Sequence, residues 1–201
     1  MKHLLTKNIN TICAHLVHVF SKTKLIHKPL YMMVEPTNFC NLHCPLCPTG
    51  NGSLNVPRGY MDISCYEKLI TDTASHLRTI LLWGFGEPFL HPEIRRMFSY
   101  ANKRGIVTKT STNGQCFGNK NDCMELVKSG IDQIRISLDG LSDDTLQIYR
   151  KGASLEQIIK GLENIVNAKK KLGTNKPFIL LQFIVMKHNE HEKHLLKDFA
   201  L

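Results

Sequence analysis

Residues 40–47 read Cys-Asn-Leu-His-Cys-Pro-Leu-Cys and follow an extended run, Tyr31–Thr37. Within these eight residues lie three of the chain's seven cysteines: Cys40, Cys44 and Cys47. An odd number of cysteines in an α/β chain of this size argues against a disulfide framework. Three cysteines spaced by three and then two residues indicate a metal or iron–sulfur site instead. Zinc commonly takes four ligands from paired Cys-x-x-Cys motifs; no second pair exists here, although His43 offers a fourth ligand. Three thiolates on a four-iron cluster leave one iron without a protein ligand, and such an open position lets a cluster bind a substrate.

From this segment onward, strand-like and helical stretches alternate. Apolar or β-branched runs predict five strands: Tyr31–Thr37, Thr79–Trp83, Ile106–Thr112, Ile134–Leu138 and Phe178–Val185. The second run is apolar on both faces, which is typical of a fully buried strand. Helical spacing between the strands predicts helices, and three of them have residue pairs in capping-box spacing: Ser64 with Glu67, Asp122 with Glu125, and Ser154 with Gln157. A further helix is predicted over residues 188–201.

Strands that alternate with helices through short glycine-marked loops predict an α/β fold with a parallel sheet. Because such crossovers are almost always right-handed, the sheet either curls into a partial barrel or stays open and doubly wound. In both architectures ligands bind at the carboxyl ends of the strands. We expect four polar or glycine-rich clusters to converge on that rim: Asn38–Cys47, Gly84–Pro88, Ser111–Gly114 and Ser137–Gly140.

The basic charge is concentrated at the N-terminus. The chain has a formal net charge of +9, and its first 34 residues contain five lysines and no Asp or Glu. Apolar residues at helical spacing predict a basic amphipathic helix within residues 1–30: Leu5, Ile9, Ile12, Leu16 and Val19. A helix that docks on the main domain or on a partner is the favoured interpretation. Peripheral contact of residues 1–28 with an anionic membrane is the alternative, and a secretory signal is disfavoured because His15 and His18 interrupt the apolar run.

Length and composition exclude several classes of protein. The 201 residues are 42% hydrophobic and 21% charged, which argues against wholesale disorder. No window approaches the roughly 18 consecutive apolar residues of a transmembrane helix. No nucleic-acid partner is expected, since no recognition motif or aromatic-interleaved basic stripe accompanies the positive charge.

The Cys-x3-Cys-x2-Cys loop, placed after the first strand, resembles the hallmark of the radical S-adenosylmethionine (SAM) superfamily, and the resemblance covers residues 31–201. It implies a partial (β/α) barrel with about five βα units present. It also implies that Cys40, Cys44 and Cys47 hold a [4Fe–4S] cluster whose fourth iron chelates SAM. Enzymes of this family cleave SAM reductively to a 5′-deoxyadenosyl radical, which abstracts hydrogen from a substrate.

The same resemblance implies SAM-binding residues at the strand ends. Leu46 corresponds to a residue near the adenine, and residues 83–88, Trp-Gly-Phe-Gly-Glu-Pro, look like the Gly-Gly-Glu motif that receives the SAM ammonium. The sequence departs from that motif because Phe85 replaces the first of the two adjacent glycines. The expected cofactor-binding residues are Leu46, Gly84, Gly86, Glu87, Ser111, Asn113, Ser137 and Asp139.

A complete barrel of this family has one more βα unit, so we expect residues 31–201 to be a C-terminally incomplete core. Many similar members carry a Cys-rich extension with auxiliary clusters, and we expect any such extension to lie beyond these 201 residues. We expect a peptide or small-molecule substrate, a reductant such as a flavodoxin or ferredoxin, and a cytoplasmic setting in which thiols stay reduced. A non-catalytic iron–sulfur electron-transfer protein or a zinc-binding module is the alternative.

Overall fold

The computed structural model describes residues 3–200, so Met1, Lys2 and Leu201 of the predicted terminal helices lie outside the described residues. The first half contains α1 (Leu4–Val19), β1 (Tyr31–Val34), α2 (Ile63–Thr73), β2 (Thr79–Leu82), α3 (Ile94–Asn102) and β3 (Val107–Thr112). The second half contains α4 (Lys120–Lys128), β4 (Gln133–Ser137), α5 (Asp143–Tyr149), α6 (Leu155–Leu172), β5 (Phe178–Gln182) and α7 (Leu196–Phe199). Two 3₁₀ segments, Pro88–Leu90 and Glu190–Leu195, follow β2 and β5.

The five strands form one parallel sheet in the order β1-β2-β3-β4-β5. Each strand pairs with its neighbour in sequence, so right-handed crossovers place the helices on one side and the sheet curls in one direction. A doubly wound sheet would instead reverse its strand order at a switch point. The predicted α/β partial barrel is therefore confirmed; it is open because, within residues 3–200, β1 and β5 do not pair.

The core lies between the helices and the convex face of the sheet. Along β4, Ile134 and Ile136 are fully buried, whereas Gln133 and Arg135 on the concave face are partly exposed. The same alternation leaves Leu81 partly exposed, so β2 is not buried on both faces as its apolar run predicts. The largest fully buried side chains of α2 and α3 are Tyr66, Ile70, Met97 and Phe98.

Two helices begin two or three residues earlier than predicted. Asp62 caps α2, because its carboxylate accepts hydrogen bonds from the backbone N–H groups of Ser64 and Cys65. Asn119 caps α4 in the same way, with its side chain accepting from the N–H groups of Asn121 and Asp122. In both helices a side chain just before the predicted capping pair accepts hydrogen bonds from backbone N–H groups of the first turn, which have no partner within the helix.

The remaining helices and strands match their predicted bounds to different degrees. Helix α6 begins at its predicted cap, Ser154, and ends at Gly173, whose φ of 61° suits a left-handed C-cap. Helix α5 was not predicted, and the helix predicted over residues 188–201 is a 3₁₀ segment followed by the short α7. Strands β1, β2 and β5 end earlier than predicted, because their last predicted residues leave the sheet to form the rim at its carboxyl edge.

Helix α1 packs against the amino edge of the sheet through its polar side. The Nζ of Lys7, which is buried, donates to the carbonyl oxygen of Gly105 at 2.7 Å. Arg78 donates to Thr11 Oγ1 at 2.7 Å and to Asn8 Oδ1 at 2.6 Å. Since Arg78 and Gly105 lie just before β2 and β3, α1 sits at the end of the sheet opposite the rim. Within residues 3–200, none of the helices is long and apolar enough to cross a bilayer.

Candidate active site

A cleft opens at the rim, where all four predicted clusters meet. Its lining comes from the loop after β1, the turn after β2, the ends of β3 and β4, and the end of α5: Cys40, Leu42, Cys44, Cys47, Trp83, Gly84, Phe85, Gly86, Glu87, Ser111, Thr112, Asn113, Ser137 and Arg150. The expected convergence of the strand ends is thus observed, and it brings the three cysteines of residues 40–47 beside the glycine turn.

The Cys loop, residues 38–47, is shaped by backbone contacts with the chain that follows it. The N–H of Cys47 donates to the carbonyl of Cys44 at 3.1 Å, and the N–H of Asn51 donates to the carbonyl of Cys47 at 2.9 Å. A β-carbon at Gly50 would lie 2.5 Å from the Cys44 nitrogen and 2.6 Å from its carbonyl oxygen. Glycine is therefore required at this position, which was not among the expected site residues. Its signal in the sequence is the Cys-Pro-Thr-Gly run that ends the loop.

Gly86 is required by the close approach of the β2 turn to the base of the Cys loop. A β-carbon there would lie 2.0 Å from the carbonyl oxygen of Thr37. The next residue reinforces the contact, because the N–H of Glu87 donates to the carbonyl of Phe39 at 2.7 Å. This glycine therefore allows two rim segments to come into contact. The motif implies a second role for it, which is to let a cation approach the backbone.

Gly84 makes room for a carboxylate from the end of β1. A β-carbon there would lie 2.3 Å from Oε1 of Glu35, which accepts a hydrogen bond from the N–H of Phe85 at 2.5 Å. The Phe85 side chain is 53% exposed, so the bulky residue that departs from the family motif is accommodated at the surface. Its carbonyl oxygen lies 3.9 Å from the sulfur of Cys47.

Glu87 clamps the end of β2 to the end of β3. It is 2% exposed, and its carboxylate accepts from Thr112 Oγ1 at 2.7 Å, the N–H of Asn113 at 2.8 Å and the N–H of Phe89 at 3.1 Å. Burial raises the pKa of Glu87, and the hydrogen bonds from Asn113 and Thr112 act against that rise. Asn113 extends the clamp to the Cys loop, since its Nδ2 donates to Asn41 Oδ1 at 2.8 Å.

Asp139 lies outside the cleft lining, and its expected contact with the cofactor stays a prediction. It is fully buried, and its two oxygens accept from Arg150 Nε at 2.6 Å and from the N–H of Ile184 at 2.7 Å. The guanidinium of Arg150 lines the cleft, so Asp139 acts on the site by orienting this arginine. No sequence signal singled out Arg150, because it ends a helix, α5, that was not predicted.

Ser111 and Ser137 line the cleft, and Ser137 is buried. Leu46 lies on the Cys loop with its side chain 75% exposed, outside the cleft lining.

Burial of the thiols in the Cys loop disfavours their charged thiolate form, so positive charge in the cleft is needed to stabilise that form. Burial raises the pKa of Cys40 and of Cys44, and at Cys44 the nearby Arg150 guanidinium opposes that rise. Outside the cleft lining, burial raises the pKa of Cys116 to about 12, and Cys65 is exposed. Because Cys40, Cys44 and Cys47 line the cleft and these two cysteines do not, the thiols of the Cys loop are the ones placed to ligate a cation there.

The donor set fits a multi-iron cluster better than one zinc ion. A tetrahedral zinc about 2.3 Å from each sulfur would hold the sulfurs about 3.8 Å apart. Among residues 3–200, no three Cys, His, Asp or Glu side chains lie close enough to hold one metal ion. A cubane takes each thiolate on a different iron, so three cysteines hold it and leave the fourth iron open. His43 does not join them, since it is not part of the cleft lining.

Comparison with known proteins agrees with this geometry. A cofactor-modifying protein for tungsten-containing aldehyde ferredoxin oxidoreductase, from Pyrococcus furiosus, is 31% identical over 177 residues, which cover 85% of this chain and 48% of that protein. An Fe-coproporphyrin III synthase from Methanosarcina barkeri is 26% identical over 88% of this chain and 41% of that protein. The chain thus spans about half the length of these curated relatives.

Solved structures share the fold. SuiB from Streptococcus suis, bound to the precursor peptide SuiA, superposes with a TM-score of 0.69 at 19% identity, over 93% of this chain and 40% of that one. Native anSMEcpe, with bound AdoMet and Cp18Cys peptide, gives a TM-score of 0.61 at 16% identity, over 86% of this chain and 47% of that one. The sequence profile of the Radical SAM superfamily matches residues 34–200. This protein therefore belongs to the radical SAM superfamily.

Proposed function

We propose that the cleft binds a [4Fe–4S] cluster through Cys40, Cys44 and Cys47, with SAM beside it, and that the chain is the catalytic core of a radical SAM enzyme. The observation that carries the proposal is the meeting of these three thiols with the three other strand-end clusters in one cleft. When bound, the reduced cluster and SAM supply a 5′-deoxyadenosyl radical that removes a hydrogen atom from the substrate.

The residues of the cleft suit the two charged ends of the SAM methionine. Arg150 is the cation of the lining and Glu87 its carboxylate. We assign the SAM carboxylate to Arg150, held in place by Asp139 through their 2.6 Å contact. Glu87 already accepts three hydrogen bonds, so it would balance the SAM ammonium by charge, while carbonyls of the Gly84–Gly86 turn accept its protons.

The remaining expected residues take lesser roles in this proposal. Ser111, Asn113 and Ser137 supply hydroxyl and amide groups at the ends of β3 and β4, where a ribose needs partners. Leu46 is 75% exposed, and covering it with an adenine would remove apolar surface from water.

The overall organisation is part of the same proposal. We assign residues 31–201 to the catalytic core and residues 1–30 to an appendage. Peptides are the favoured substrate class, because SuiB and anSMEcpe were solved with peptides bound; a small molecule is the alternative, as the name Fe-coproporphyrin III synthase indicates for that relative. A flavodoxin or ferredoxin would supply the electron, and a reducing cytoplasm would protect the cluster.

Anaerobic reconstitution with iron and sulfide, followed by dithionite and SAM, tests the proposal. We expect about four irons per chain and formation of 5′-deoxyadenosine, measured by liquid chromatography and mass spectrometry. Changing the three cysteines of the Cys loop to Ala should abolish both, whereas Cys65→Ala, an exposed cysteine outside the cleft, should leave both unchanged. One zinc ion per chain without iron would favour the zinc module. An intact cluster that forms no product would favour electron transfer, and either result would refute the proposal.

A further inference from the structure

Helix α1 presents its apolar side to solvent and its polar side to the protein. The predicted apolar stripe, defined as Leu5, Ile9, Ile12, Leu16 and Val19, is exposed by 72%, 53%, 58%, 43% and 55%. The opposite side is anchored by Lys7, Asn8 and Thr11, whose partners Gly105 and Arg78 belong to the amino edge of the sheet. The favoured interpretation, a helix docked on the main domain, is thus correct only for its polar side, and the apolar stripe is left without a partner among residues 3–200.

The apolar surface continues beyond the helix, together with positive charge. Phe20, Leu25 and Ile26 are each at least 64% exposed, and the exposed Lys22, Lys24 and Lys28 lie among and just after them. The first acidic residue in the chain is Glu35. The exposed apolar stripe is thus followed directly by a basic segment without any acid, and apolar surface combined with positive charge is what binds helices to the interface of an anionic membrane.

We propose that the apolar stripe of α1 docks on the surface of an anionic lipid bilayer. The stripe enters the boundary between headgroups and acyl chains, and the exposed lysines face the anionic headgroups. A second copy of this chain is a poorer occupant, because pairing two stripes brings together two acid-free segments with five lysines each. The location of α1 also fits, since it lies at the amino edge of the sheet and the cleft lies at the carboxyl edge. A chain bound in this way keeps its cleft open to the aqueous phase.

Vesicle flotation of the full chain tests this proposal without any cofactor. Vesicles of phosphatidylcholine with phosphatidylserine should carry the protein upward, and vesicles of phosphatidylcholine alone should not. The double variant Ile12→Gln/Leu16→Gln should lower the partition coefficient by about tenfold or more. Lys22→Gln and Lys24→Gln should each lower it by roughly fivefold. Because these side chains are exposed and Gln is a good helix former, circular dichroism and the Tm should not change.

A matched control tests whether vesicle binding depends on the apolar stripe of α1 or on exposed apolar surface in general. Ile159→Gln/Val166→Gln changes two partly exposed apolar residues of α6 and should leave vesicle binding unchanged. The proposal is overturned if the unaltered chain does not float with the anionic vesicles, or if the control double variant loses as much binding as the stripe variant. It is also overturned if sedimentation velocity shows a dimer that the stripe variant abolishes and that does not bind vesicles. The proposed radical chemistry would stand in each case, since α1 takes no part in the cleft.

Discussion

Replacing Gly86 with Ala tests whether the rim depends on the close contact between the β2 turn and the Cys loop. The new methyl group would start 2.0 Å from the carbonyl oxygen of Thr37, 2.7 Å from its carbonyl carbon and 2.8 Å from the Cα of Asn38. All three atoms belong to the backbone, so no side chain can rotate away. The methyl and the oxygen must separate to at least 3.4 Å for an ordinary contact, which would pull Glu87 N–H away from Phe39, now 2.7 Å from it.

The expected loss of folding stability comes from the two interactions that this movement disturbs. Overpacking of a well-packed site costs about 1–3 kcal/mol, and a lost backbone hydrogen bond adds about 1 kcal/mol. We therefore expect Gly86→Ala to lower the free energy of unfolding by about 2–4 kcal/mol and the Tm by roughly 10 °C. Because Phe39 directly precedes Cys40, the iron content after reconstitution should also fall.

Thermal unfolding followed by circular dichroism, together with iron analysis, measures both effects. Gly59→Ala is the matched control: no atom lies within 4 Å of its β-carbon, although the residue belongs to the loop that packs on the Cys loop. That variant should keep the Tm and the iron content of the unaltered chain. If Gly86→Ala behaved like Gly59→Ala in both measurements, the steric reasoning would be refuted.

Four further changes address other parts of the molecule. The Arg150→Met variant should retain its iron but bind SAM about tenfold or more weakly, measured by equilibrium dialysis. Asp139→Asn should weaken SAM binding too, because Asp139 holds Arg150 in place. Unchanged SAM binding in both variants would contradict the role assigned to Arg150. Gly50→Ala should lower iron content, because its methyl would lie 2.5 Å from the Cys44 nitrogen; full occupancy would contradict the requirement for glycine. Tyr66→Phe removes the buried 3.0 Å hydrogen bond to the Met97 carbonyl and should cost about 1 kcal/mol in urea unfolding, with no change in iron content.

The rim was predictable because it depends on chain direction. In a parallel sheet all carboxyl ends meet at one edge, so polar clusters after successive strands must be neighbours whatever their exact bounds. That rule brought the segments around Cys40, Glu87, Asn113 and Ser137 together without knowledge of any contact.

The parts that sequence reasoning missed depend on three-dimensional contacts. Arg150 follows a seven-residue helix in which Leu146 is the buried residue, too few apolar positions to show a helical period. The orientation of α1 was hidden for a different reason. A hydrophobic pattern identifies two faces of a helix, but the hydrogen bonds of Lys7 and Arg78 determine which of them meets the domain.

Two buried acids of the rim, Glu87 and Asp139, share one structural role, although only Glu87 lines the cleft. Glu87 joins the end of β2 to that of β3, and Asp139 joins the end of β4 to Arg150 and to the N–H of Ile184, beyond β5. Each carboxylate is buried and satisfies backbone amides that strands leave unpaired where they exit a sheet. The rim is therefore held together by acids that point between strands. Substituting either acid should loosen two strand ends at once, and with Asp139 it should also release the arginine beside Cys44.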